Sequence, residues 1–266
     1  MTTPELYGWF HILWLVLTFG IAVLLCVTHK GASPVRVRNV VFYTAILVTV
    51  LEIYKQINFG FSYSDGISFD LAWYAFPWQF CSTPMYIGLL AGRTKPGRLH
   101  EALCAYLATY SFFAGVCVMM YPVTIFTSTA AINIQTTFCH GSMIVIGAYL
   151  LASGHVKIQL NTLLKAIPVF LFCVTVAAIM NEIAYFSGLL ATEEFNMFFI
   201  SPHCPPSLPV YSLVQQTLPY PLCLMIYIGA FTLAGGLILA IAAGIHQMVQ
   251  LAFHQTSHRK ISIHHS

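Results

Sequence analysis

Apolar residues run through this chain in blocks of about twenty, separated by short polar clusters. A helix that crosses the hydrocarbon core of a bilayer needs about 20 largely apolar residues. Seven segments meet that length: 7–28, 39–58, 73–92, 100–120, 131–152, 166–190 and 219–245. The connections between them are short, with no internal repeat or low-complexity tract. The longest, Ala191 to Leu218, is proline-rich and is either the cover of a site or a long turn. The pattern predicts an all-α protein, a bundle of seven transmembrane helices forming one membrane domain over 1–250. A basic, His-rich tail over 251–266 follows it.

Composition turns the pattern into a class. The 266 residues are 58% hydrophobic and 7% charged, with a mean hydropathy of +0.79. A soluble domain carries about 25% charged residues, so a water-facing surface could not be covered here. The chain reads as a polytopic integral membrane protein, with no nucleic-acid partner expected. Its opening, "MTTPELYGWFHILW", has no basic n-region, and no small-residue cleavage site follows. The first span is therefore expected to be retained rather than removed as a signal peptide. Of the eight cysteines, Cys26, Cys104, Cys117, Cys139, Cys173 and Cys223 lie inside apolar runs, where thiols act as small hydrophobes. Only Cys204 falls in a clear external loop, so no disulfide framework is implied.

Charge adds an orientation. Lys30, Arg36, Arg38, Arg93, Lys95, Arg98, Lys157, Lys165, Arg259 and Lys260 all fall after odd-numbered spans, on one face. The other face holds Glu5, Asp65, Asp70, Glu193 and Glu194, and no Lys or Arg. The positive-inside rule places the N-terminus outside and the C-terminus inside, a pattern that requires an odd number of crossings. His254, His258, His264 and His265 in the tail read as a solvated basic terminus near anionic lipid, with metal binding the alternative.

Polar side chains inside the spans mark function by default, because they are costly there. Glu52, Lys55 and Glu182 are the ionisable acids and bases well inside, joined by His11, Gln79, Cys81, Gln135, His140 and Asn181. At about 1.5 Å per helical residue, Cys81 lies about 12 Å and His140 about 13 Å below the outer ends of their spans. Glu52, Lys55 and Glu182 fall in the same outer half, so one shared polar pocket is expected. Glu52 and Lys55 are three residues apart and can pair on one face, either for packing or for function. Asn181 and Glu182 either bond a neighbouring helix or orient a histidine. His11, near the boundary, reads as interfacial.

Cys81 lies in "FPWQFCSTPMY", between Pro77 and Pro84, two residues that kink or break a helix. A thiol beside an imidazole base is a nucleophile arrangement, whereas a lone cysteine is packing. Depth alone leaves the two readings open. A metal held by Cys81, Cys139 and His140 is disfavoured: adjacent residues leave a helix about 100° apart, and no CxxC spacing exists. No cofactor is expected.

The series "GWFHILWL", "FPWQFC", "CHGSM" and "NMFFISP" resembles YwaF-type bacterial integral membrane proteins, which are similar to the eukaryotic transmembrane protein 164 family. The resemblance runs from about Gly8 to the last span. It implies a cysteine-dependent phospholipid acyltransferase, multi-pass in a bacterial plasma membrane, with Cys81 as nucleophile and His140 as its partner. Membrane phospholipids and a lysophospholipid acceptor would be its partners, with Gln79, Asn181 or a backbone N–H stabilising the oxyanion. Asn196 matches the Asn of a loop pattern, N-Y-M-Y, that reads "NMFF" here. Two rivals stand beside it: a lipid hydrolase using the same pair, and a transporter or receptor binding a solute at Glu52, Lys55 and Glu182. A retinal protein is disfavoured, because the last span holds no lysine for a Schiff base.

Overall fold

Backbone N–H and C=O groups cannot be left unpaired in hydrocarbon, so apolar blocks of this length fold as helices. In the computed structural model, which describes residues 2–29, 31–62, 66–188, 194–205 and 208–263, they do so six times. The long helices are α1 (Trp9–Thr28), α2 (Pro34–Gly60), α4 (Arg98–Met120), α5 (Ala130–Ala152), α6 (Leu160–Ser187) and α8 (Tyr220–Ile263). Each holds a stretch long and apolar enough to span a bilayer, and in α8 that stretch is Tyr220–Leu251. Local signals mark the ends. Pro34 occupies the first turn of α2, and the Ser33 side chain accepts the Arg36 N–H there, the usual proline and hydroxyl grammar of a helix start. A positive-φ Gly188 closes α6.

The third expected span is the exception. In place of one helix over 73–92, the chain makes a single 3-10 turn at Trp73–Ala75, an irregular stretch, and then an eleven-residue helix, α3 (Thr83–Arg93). Proline explains the break. Pro77 has no N–H to give a helix, whereas Pro84 sits in the first turn of α3, where none is needed. The half-helix still returns the chain to its starting side, because α3 packs antiparallel to α2. Gly88 abuts Ala45, and Gly92, further along α3, abuts Phe42. A second short helix, α7 (Pro209–Thr217), lies in the long connection before α8. A two-residue ribbon, β1 (Phe61–Ser62) with β2 (Ser68–Phe69), caps the end of α2.

The bundle closes through α1 on α5, α4 on α5 and α6, and α8 on α4 and α6. A π turn at Leu107–Ser111 interrupts α4 in the middle of these contacts. Two glycines allow helices to approach His140. A Cβ at Gly115 would lie 2.9 Å from the His140 carbonyl oxygen, and one at Gly141 would lie 2.6 Å from Thr18 Oγ1. Large apolar side chains such as Val16, Leu24, Tyr43, Phe172 and Leu233 face outward, as a lipid-solvated surface requires.

The basic residues Arg36, Arg38, Arg93, Lys95, Arg98, Lys157 and Lys165 gather at one end of the bundle. Lys30, Asp65, Glu193, His264 and His265 lie outside the described residues, as do the side chains of 252–263, including His254, His258, Arg259 and Lys260.

Candidate active site

Breaking the third passage puts Cys81 in a turn rather than on a helix. The Gln79 carbonyl accepts the N–H groups of Ser82 and Thr83 at 2.9 and 3.0 Å, so Gln79–Ser82 folds back just ahead of α3. Cys81 therefore sits at the N-terminal end of that helix. Among the described residues, the backbone N–H groups of Phe80 and Cys81 make no hydrogen bond.

His140, from the first half of α5, meets this turn. It is buried, and its Nδ1 lies 2.7 Å from the Thr136 carbonyl oxygen. A carbonyl can only accept, so Nδ1 carries the proton and Nε2 presents a lone pair. The His140 imidazole neighbours the Cys81 thiol closely enough for the two groups to couple electrostatically; no hydrogen bond of ordinary geometry joins them among the described residues.

A cavity of about 30 Å³ opens beside the thiol and runs between α2, α3, α4 and α5. Its lining is apolar toward Val41, Gly88 and Ile146, with Cys139, Ser142 and Ser111 interspersed. The Ser111 hydroxyl, at the π turn, is buried and has no hydrogen-bond partner among the described residues. The space holds a water or two as it stands.

Glu52 and Lys55 form the expected pair, 2.7 Å apart. Glu52 is buried and accepts further bonds from Gln56 (3.0 Å) and Gln135 (3.4 Å). Gln135 reaches Cys139 as well, at 3.4 Å, so the network ends beside the candidate pair. Gln56 and Thr136 are part of this layer although their sequence positions carry no distinguishing motif.

Gln79, Asn181 and Asn196 serve the long connection. Asn181 grips Met197 with both ends of its amide, Nδ2 to the carbonyl at 3.0 Å and Oδ1 from the N–H at 2.8 Å. Gln79 donates to the Asn196 carbonyl (3.2 Å) and accepts the Phe198 N–H (3.1 Å). Asn196 Oδ1 accepts the Ser201 N–H at 2.9 Å. Together they hold Phe198 and Phe199 at φ of 59° and 58°, a conformation that costs about 1–3 kcal/mol per non-glycine residue. Phe198, fully buried, stacks on Phe80 with ring centroids 5.3 Å apart. The "NMFF" segment thus covers the Cys81 turn. The amide donors of Gln79 and Asn181 are already engaged, which leaves the backbone N–H groups of the turn as the free donors.

Two residues point elsewhere. Glu182 bonds His203 of the connection at 3.0 Å, and Tyr185 stacks on that His203 ring. It does not join the Glu52 layer. His11 is fully buried rather than interfacial: its Nδ1 accepts the Tyr7 N–H at 3.0 Å and its Nε2 donates to the Met119 carbonyl at 2.7 Å. Nδ1 thus secures the turn before α1, and Nε2 ties α1 to α4.

Six lipid-length helices around a buried polar layer define a multi-pass integral membrane protein. Residues 6–240 match the TMEM164 family, and the chain belongs to that family. No curated protein and no solved structure matches it.

Proposed function

We propose that the protein is a membrane-embedded phospholipid acyltransferase that works through an acyl-thioester on Cys81. The observation that carries the reading is the placement of Cys81 beside His140 and on the wall of an intramembrane cavity. His140 Nε2 takes the thiol proton, and the sulfur attacks an ester carbonyl of a phospholipid. The negative charge moves to the carbonyl oxygen, near the unbonded N–H groups of the Gln79–Ser82 turn and the N-terminus of α3, where such charge is favoured. Collapse breaks the ester bond. The departing lysophospholipid oxygen takes the proton from His140, and the acyl group stays on sulfur. A second lysophospholipid hydroxyl then gives its proton to His140 and attacks the thioester; the C–S bond breaks, and the departing Cys81 thiolate takes that proton back from His140. Water in place of that hydroxyl would make the same site a hydrolase.

The polar layer lies in the half of the bundle away from the basic loops. In a bacterial plasma membrane with those loops inside, ester carbonyls of the outer leaflet would reach it by lateral movement. The transporter reading is less well supported, because the Glu52 carboxylate is already fully engaged by Lys55, Gln56 and Gln135.

The test is acyl exchange between phospholipid and lysophospholipid in vesicles bearing the purified protein. Cys81→Ala should abolish exchange and the acyl adduct seen by intact-mass analysis. Undiminished exchange would remove the proposal, and release of free fatty acid without exchange would select the hydrolase.

A further inference from the structure

A second cluster lies at the opposite end of α3. His100 and Cys104, four residues apart on one face of α4, meet His155 from the connection between α5 and α6. One nitrogen of each imidazole and the thiol sulfur lie within 4.8 Å of one another. The His100 and His155 Nε2 atoms are 2.8 Å apart, and Cys104 Sγ is 3.6 Å from His100 Nε2. His100 and Cys104 are buried and His155 is half-buried.

The tautomer of His100 is fixed by the neighbouring backbone. Its Nδ1 lies 3.0 Å from the Ala91 carbonyl near the end of α3, so Nδ1–H donates and Nε2 offers a lone pair into the cluster. A carbonyl behind a ligating histidine is the usual support of a metal ligand. Tetrahedral zinc, with Zn–N of about 2.05 Å and Zn–S of about 2.3 Å, separates its ligand atoms by about 3.4 Å (N to N) and about 3.6 Å (N to S). The sulfur is already at that spacing from the His100 nitrogen, and the two nitrogens need to part by about half an ångström. Of the charges facing the cluster, Arg38 opposes a cation, whereas Glu101 favours one.

We propose that His100, Cys104 and His155 bind one Zn2+ ion per chain, with the fourth position open to water. The soft thiolate with two imidazoles selects a thiophilic ion over Mg2+ or Ca2+. The ion would bind α4 to the α5–α6 connection, with α3 held through Ala91. The site is independent of the acyl-transfer reading, since Cys81 lies at the other end of α3, about 15 Å away along that helix.

Elemental analysis of the purified full chain should find one zinc per chain. After chelation, Co2+ should restore a thiolate-to-cobalt charge-transfer absorption, with a visible band of low coordination number. Residues 252–266 contain no cysteine, so histidines there cannot produce the charge-transfer signal. Cys104→Ser should abolish it and His155→Gln should weaken Co2+ binding by more than about 10–100-fold, whereas Cys117→Ala should leave it unchanged. His155 lies in a connection rather than a helix, so His155→Gln serves if Cys104→Ser fails to fold, as judged by circular dichroism and gel filtration. A folded wild-type protein without the thiolate signal, or a signal that survives His155→Gln at full affinity, would overturn the proposal.

Discussion

His140 donates its Nδ1–H to the carbonyl of Thr136, one turn earlier on the same helix and 2.7 Å away. The bond fixes both ring orientation and tautomer, so the nitrogen left for Cys81 is unprotonated. In the proposed Cys81–His140 dyad, a helix carbonyl would take the orienting part that a carboxylate plays in many nucleophile triads.

The bond yields a clean substitution. His140→Asn keeps a donor near the position of Nδ1 and removes the base. Acyl exchange, and the rate at which a lipid-like electrophile labels Cys81, should fall by about 10²–10⁴-fold, the range for a positioned general base. The melting temperature should change little. Labelling that proceeds at the wild-type rate would show that the imidazole does nothing for the thiol.

The buried ion pair makes a separate prediction about stability. Glu52→Ala strands Lys55 in a low-dielectric layer and leaves Gln135 with only the weak Cys139 sulfur as acceptor. Removing one member of a buried pair costs about 3–5 kcal/mol. Replacing both, as Glu52→Gln with Lys55→Met, should cost much less, because no charge is left unpaired. Thermal melts in detergent would compare the two. Equal losses would mean that the pair contributes through shape rather than charge.

Much of this arrangement could be read from the chain, and the unread part has identifiable causes. The depth count for Cys81 assumed one helix over 73–92, which the chain does not form, and hydropathy located the long helices within a few residues at most ends. It could not locate the break at 76–82, because apolar side chains look the same on an irregular backbone as on a helix. Pro77 and Pro84 carried that information, but Pro84 starts α3 rather than kinking it. The partners of Gln79 and Glu182 were not readable. Phe198 lies 119 residues from Gln79, and the imidazole that meets Glu182 belongs to His203 in an aperiodic connection. His155 is a third such case, brought to His100 only by the packing of α4 against the turn before α6.

Asn181 tests whether the "NMFF" cover matters to the site. Its amide satisfies both the N–H and the carbonyl of buried Met197. Asn181→Ala leaves both unpaired, and each costs about 1–3 kcal/mol. Asn181→Asp retains the acceptor for the N–H and loses only the donor, so it should be the milder change. Hydrogen exchange should rise at 195–201 in both variants, most in Asn181→Ala. Protection unchanged there would mean that Gln79 and Tyr227, which donates to the Phe198 carbonyl at 3.0 Å, suffice to hold the segment.

Tyr211 gives the pH dependence with a definite sign. It lies on α7, a helix too short to span, and burial, with Cys223 and Tyr220 nearby, pushes its phenol up to about 12. Among the described residues, its hydroxyl is buried without a hydrogen-bond partner. An unfolded tyrosine titrates near 10, so between about pH 10 and 12 the unfolded chain loses this proton while the folded one keeps it. Stability from this group is therefore full below pH 10 and declines as pH rises, by about 1.4 kcal/mol per pH unit. Tyr211→Phe removes both the alkaline loss and the orphan hydroxyl. It should melt at or above the wild-type temperature at pH 7, and its melting temperature should fall less steeply between pH 10 and 12. A variant whose alkaline slope matches the wild type would show that other groups govern that transition.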